Sequence, residues 1–155
     1  MAGEESSEDI KKESFSNNVL EYSKKQLLYL DKNFDFESFL ENAKSAFNLI
    51  VSSYKNDNLK KVQTLLSSQV FKAFEESIPK EKNGIGKFQI NFLEASIIHI
   101  DVIENLAKIK VEFLSIQEVT VGDETKQNEI KDIWTFEKDM KSQDPIWILT
   151  EVNSE

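Results

Sequence analysis

The chain contains no cysteine. A disulfide framework, a thiolate zinc site and a cysteine nucleophile are therefore all excluded, while the redox compartment stays open. His99 is the single histidine, so a metal would need an all-oxygen ligand set. The acidic pairs Glu4-Glu5, Glu75-Glu76 and Asp123-Glu124 lack the spacing of a calcium loop and read as solvated charge. No metal and no cofactor is expected. Nowhere does the chain approach the roughly 18 consecutive apolar residues of a membrane-spanning helix, and its start lacks the basic and then apolar layout of a signal peptide. The domain reads as soluble. An excess of positive charge is missing too: 19 Lys and Arg face 28 Asp and Glu, a formal net charge of −9. That balance argues against autonomous nucleic-acid binding and against simple electrostatic attraction to anionic lipid, although a local basic patch is compatible with it.

What is present begins with length. In 155 residues there is room for one domain with a core, plus a polar tail. Residues 1–17 are rich in Glu, Ser and Lys and cannot bury enough surface to offset the entropy of ordering, so they read as a disordered tail. Met1-Ala2-Gly3 ahead of this acidic stretch reads as a start joined to an interior segment, with a membrane anchor expected upstream. Residues 18–33 carry Val19, Leu20, Tyr22, Leu27, Leu28, Tyr29 and Leu30 and suggest a short helix or linker. The domain proper is expected over residues 34–153.

Its first helix is the most legible element. Asp35 is placed to cap it, and Phe34 and Phe39 occupy the two positions of a hydrophobic staple. Phe36, Phe39, Leu40, Ala43, Phe47, Ile50 and Tyr54 then recur at spacings of three and four and predict one buried face. Glu37, Glu41, Lys44, Asn48 and Ser52 fall on the solvated side. A polar turn at 55–58 leads to a short helix with Leu59, Val62, Leu65 and Leu66. Ser67 or Ser68 caps a third, which buries Val70, Phe71, Phe74 and Ile78 and ends or kinks at Pro79. After Gly84-Ile85-Gly86 the period changes from about 3.6 to 2, the signature of strands. Phe88, Ile90 and Phe92 alternate with polar neighbours. Ile98, Ile100 and Val102 follow, and then Ala107, Ile109, Val111 and Phe113. Glu104-Asn105 and Gly122-Asp123-Glu124 mark turns, Ile130, Trp134 and Phe136 share a strand face, and Ile146 to Val152 closes the chain. Helices first and antiparallel strands second define an α+β domain with helices on one face of the sheet.

Few residues suggest chemistry. Gly84-x-Gly86 resembles part of a phosphate loop, but such loops run from strand to helix, and here the order is reversed. His99 and Asp101 point to the same strand face and could form an acid/base pair; with no nucleophile or substrate clamp nearby, a solvated surface pair is the favoured reading. Large rings are in surplus: Phe71, Phe74, Phe88, Phe92, Phe113, Trp134, Phe136 and Trp147. Most belong to a core, each burial stabilising by roughly 1.5–3 kcal/mol. Some could line an apolar pocket between helices and a curved sheet. Helix and strand parity selects Ile50, Tyr54, Phe71, Phe74, Phe113, Trp134 and Phe136 as pocket candidates.

Three segments in order carry a family resemblance. Phe34-Asp35-Phe36 with Phe39-Leu40-Glu41-Asn42-Ala43-Lys44, Ala46-Phe47 and Ile50-Val51 resembles the opening of the C-terminal domain of inner-membrane translocase subunit 44, especially in its alphaproteobacterial relatives. Leu65-Leu66-Ser67 with Val70-Phe71 and Phe74-Glu75 resembles the family's second and third helices. Asp132-Ile133-Trp134-Thr135-Phe136-Glu137-Lys138-Asp139 with Ser142-x-Asp144-Pro145-x-Trp147-x-Leu149 resembles its closing hairpin. The resemblance spans about residues 31–152. Relatives often carry glycine where this chain has Asn42 and Asn56. The resemblance implies helices on a strongly curved antiparallel sheet, similar to the nuclear-transport-factor-two (cystatin-like) superfamily, with a large apolar groove. It also implies a non-catalytic, membrane-associated scaffold resembling the import-motor tether, at the bacterial inner membrane through the upstream anchor. Its implied partners are membrane lipid such as cardiolipin, an apolar membrane-protein segment, or a chaperone or translocon component, with a role in protein translocation or inner-membrane protein biogenesis. This chain lacks the long basic chaperone-binding region of the mitochondrial form. The competing reading is a small-molecule-binding or isomerase-like pocket protein of the same superfold, using His99 and Asp101.

Overall fold

A computed structural model of the chain describes residues 7–78 and 86–154. Three α-helices and a 3-10 helix come first: α1 (Ser7–Leu30), α2 (Phe36–Lys55), the 3-10 helix Leu59–Leu65 and α3 (Ser68–Ser77). Four strands follow, β1 (Phe88–Ile103), β2 (Leu106–Val121), β3 (Glu124–Asp139) and β4 (Ile148–Ser154). They pair in sequence order as one antiparallel sheet. The result is the expected α+β arrangement of helices against a curved, open antiparallel sheet.

Local chemistry accounts for each boundary. Asp35 caps α2, its Oδ1 accepting from the amides of Glu37 at 3.0 Å and Ser38 at 3.4 Å. The Phe34 and Phe39 rings meet at 5.9 Å, closing the staple. Ser67 caps α3 by accepting from Val70 N at 3.1 Å. That helix ends at Ser77; Pro79, Gly84 and Ile85 lie outside the described residues. Gly86 is needed for close approach, because a Cβ there would run into the backbone of Thr120. The hairpin turns fall at Glu104-Asn105 and Gly122-Asp123, with positive φ at Glu104 (55°) and Gly122 (63°).

The core lies between α2 and the sheet. Phe39, Ala43, Phe47 and Ile50 of α2 are buried against Ile109, Val111 and Phe113 of β2 and Trp134 and Phe136 of β3. Phe47 is the keystone, stacked on Phe113 at 4.5 Å and tilted against Trp134 at 4.7 Å. Leu59, Val62, Leu66 and Val70 extend this core, while Phe71, Phe74 and Ile78 are half-buried at its margin.

Two features depart from the sequence reading. Simple alternation places Phe88, Ile90 and Phe92 on one face and adds Ile98 to the face of Ile100 and Val102. The register instead shifts between Ile90 and Phe92 and again between Ile97 and His99. Each bulge inserts a residue and reverses parity. Phe92 and Ile98 consequently face outward, 45% and 41% exposed, while Leu93, Ala95 and Ile97 pack against the core. Secondly, α1 begins at Ser7, so helix runs through residues 7–17, where composition suggests a tail. No glycine or proline interrupts Ser7–Leu30, and helix continues there without needing burial. Among the described residues it is anchored in its later part, where Ser23 and Leu27 are buried and Leu20 packs against the core.

Candidate functional site

At the start of α2 the helix layer leaves a groove of about 580 Å³. One wall is the turn before α2, where Phe34 N donates to Asp31 O at 3.1 Å and Asn33 N to Asp31 Oδ1 at 3.1 Å. The second is the first half of α2, with Ser38, Phe39, Asn42, Ala43 and Ala46. The third is Pro145-Ile146-Trp147, with Phe136 and Leu65 behind it. Two local turns shape that third wall: Asp144 N donates to Ser142 Oγ at 3.2 Å, and Ile146 N donates to Asp144 Oδ1 at 3.0 Å. Together they present Ile146, 41% exposed, at the mouth.

The interior of the groove is aromatic and its rim acidic. Phe39 packs edge-on against Trp147 at 5.1 Å and against Phe136 at 6.1 Å, and Phe34 meets Trp147 at 5.9 Å. Asp31 and Asp35 stand at the edge. Hydrogen bonds from the Ser38 hydroxyl and from the amides of Ser38 and Glu37 hold the Asp35 carboxyl below its ordinary value. Asp35 therefore keeps its negative charge at the edge of the groove, which disfavours an anionic group there.

Of the seven pocket candidates, Phe136 reaches this groove. Ile50, Phe113 and Trp134 are closed into the core at 2% exposure or less. Tyr54, Phe71 and Phe74 are half-buried at the opposite end of α2, where the Tyr54 and Phe74 rings lie 5.5 Å apart. The Tyr54 hydroxyl donates to Ser77 O at 3.1 Å and lies 2.9 Å from Ser77 Oγ, tying α2 to the end of α3. The groove residues Phe34, Phe39 and Trp147 were visible in the sequence as a staple and as the closing motif, but not as a wall. Only the fold brings residues 34 and 147 together.

Two polar features lie elsewhere. His99 Nε2 and Asp101 Oδ2 are 3.5 Å apart and both about half exposed, on the sheet face away from α2. No group of three or more potential metal ligands occurs among the described residues. Asp132 is 7% exposed beside Phe113 in the register, and its Oδ1 accepts from Ser154 Oγ at 2.6 Å. Burial pushes its carboxyl above the ordinary range, with the Ser154 hydroxyl opposing the shift. Trp134 Nε1, also buried, has no hydrogen-bond partner among the described residues.

Helices packed on a curved antiparallel sheet, with an aromatic groove at one end of the helix layer, define the α+β class of this domain. The chain belongs to the Tim44-like domain family, which matches residues 21–154. The match starts within α1, ahead of the boundary expected at Phe34. An uncharacterized protein of Rickettsia prowazekii (strain Madrid E) is 27% identical over 120 residues, covering 77% of this chain and 53% of that protein. The chain thus spans about half the length of the relative it matches. At family level, membership supports a membrane-associated, translocase-related module, in a family of non-catalytic tether domains. No helix among the described residues is long and apolar enough to cross a membrane.

Proposed function

We propose that this domain is a non-catalytic scaffold module at the inner membrane, held there by an anchor upstream, and that its groove takes an apolar chain presented by the membrane. The observation that carries this reading is the wall of Phe34, Phe39, Phe136 and Trp147 under an acidic rim. Pockets that hold apolar ligands are lined in this way, with few polar groups, and about 580 Å³ falls within their usual range. The occupant named first is a lipid acyl chain, cardiolipin being one source; an apolar segment of a membrane protein is the other. A role in protein translocation or membrane-protein biogenesis follows from the same reading, with a translocon component or chaperone as further partner.

Co-sedimentation with liposomes of defined composition, with and without cardiolipin and across a salt series, tests it. Binding should survive salt, because the chain carries −9 overall and the groove rim is acidic. Ile146→Glu, which adds charge at an exposed mouth position, should abolish it. Salt-sensitive binding unaffected by Ile146→Glu would contradict the groove's role. The isomerase-like alternative would place its chemistry in the separate polar hollow that His99 and Asp101 line on the other face of the sheet, not in the aromatic groove.

A further inference from the structure

The sheet face away from α2 carries a second hollow, of about 430 Å³ and polar where the groove is aromatic. Its floor is ordered by strand register. Lys110 of β2 stands between His99 of β1 and Thr135 of β3, and Lys108 stands between Asp101 and Glu137. Opposite charges placed this way across strands ordinarily close into ion pairs. Here they do not: around this hollow the ion pair among the described residues is His99 with Asp101, and neither lysine nor Glu137 joins one within 4.0 Å. Their heads instead surround an open space.

Two further details mark the hollow as more than a solvated face. Thr135 is only 5% exposed as a residue and lines the hollow, and its hydroxyl makes no hydrogen bond among the described residues, so it is free to turn toward the open space. Beside it, the β3–β4 register shifts so that Thr150 is the inserted residue, and both Thr150 and Glu151 turn toward the hollow. Bulges of this kind re-aim side chains at sites.

We propose that this hollow binds a small zwitterion carrying a phosphate and an ammonium group a few bonds apart, the chemistry of phosphoethanolamine, free in solution or as a lipid headgroup. Lys108 and Lys110 lie two residues apart on one strand, about 6.7 Å along it, so they converge on an anion with several oxygens, and the Thr135 hydroxyl supplies a third donor. Glu137 and Asp101 stand one strand away on either side, about 4.8 Å, the spacing a two-carbon linker between phosphate and ammonium spans. A primary ammonium satisfies these carboxylates by hydrogen bonding. A quaternary one cannot. This site is independent of the aromatic groove and does not rest on that reading.

The test uses the chain labelled for amide NMR and titrated separately with phosphoethanolamine, inorganic phosphate and ethanolamine. Phosphoethanolamine should give saturable shifts at Lys110, Thr135, Thr150 and Glu151, with at least tenfold weaker binding of either fragment. Thr135→Val, which breaks no protein hydrogen bond, should weaken binding about tenfold while the fold persists. Lys110→Ala, at a position facing the hollow rather than the core, should weaken it as well. In a second arm, vesicles containing phosphatidylethanolamine are compared with vesicles of phosphatidylcholine alone. Saturable shifts with the soluble compound establish the site for free ligand; retention on the ethanolamine vesicles alone, lost in Lys110→Ala, establishes the headgroup as its source. Equal affinity for inorganic phosphate, binding undiminished in both variants, or no binding in either arm overturns the proposal.

Discussion

Truncation of two phenylalanines should separate the two faces of the sheet. Phe47 is fully buried and held between Phe113 at 4.5 Å and Trp134 at 4.7 Å. Phe47→Ala removes a whole ring from a site closed on all sides, a change that costs about 3–5 kcal/mol. Domains of this size are stable by about 5–15 kcal/mol, so the variant keeps only part of its margin. With a urea slope of about 2 kcal/mol/M, its midpoint should fall by about 2 M. Phe92 looks equally core-like in the sequence, yet the bulge beside it leaves it 45% exposed on the outer face. Phe92→Ala should cost about 1 kcal/mol or less and move the midpoint by about 0.5 M. Equilibrium urea unfolding, followed by tryptophan fluorescence and circular dichroism together, reads both. Comparable losses for the two variants would refute the bulged register and with it the placement of the outer face.

Other expectations follow from single contacts. Tyr54→Phe removes the link from α2 to Ser77 and should cost about 0.5–1.5 kcal/mol in urea unfolding, with no change in the aromatic near-UV signal of the core. Glu104 sits at φ 55°, so Glu104→Gly relieves a left-handed backbone and should leave the melting temperature unchanged or raised by a few degrees. Asp132 binds its proton more tightly when folded, so its contribution to stability falls as pH rises from the ordinary 3.8 through the raised folded value, and is level above it. Asp132→Asn keeps a partner for Ser154 and should remove that fall; a stability difference between the two proteins that does not change with pH would count against the buried carboxyl.

Much of the fold was legible because local signals agreed with tertiary ones. In α2 the cap Asp35, the Phe34–Phe39 staple and the spacing from Phe39 to Ile50 all specify the same helix and the same buried face. The turns at Glu104-Asn105 and Gly122-Asp123 were equally plain from residue type. The reading failed where a single inserted residue decides parity. Nothing in Phe88 to Val102 marks Asn91 and Ile98 as bulged, yet the two insertions reverse the facing of every residue between them. At α1 helix runs through residues 7–17, which composition reads as a tail, because no glycine or proline interrupts the segment. The groove was hidden for a different reason. Its walls come from residues 31–46, 65, 136 and 145–147, and neither helical nor strand period links positions so far apart.

The central claim, that the aromatic groove receives an apolar chain from the membrane, is tested most directly by the two tryptophans. Trp147 lines the groove, whereas Trp134 is 2% exposed within the core. Vesicles containing cardiolipin and phospholipids brominated along their acyl chains should quench Trp147 in Trp134→Phe, while the Trp134 signal of Trp147→Phe remains unquenched. Quenching of Trp147 that saturates with lipid and persists in high salt is the predicted result. Vesicle association that leaves Trp147 unquenched would contradict the account, because the chain would then meet the membrane through some surface other than the groove.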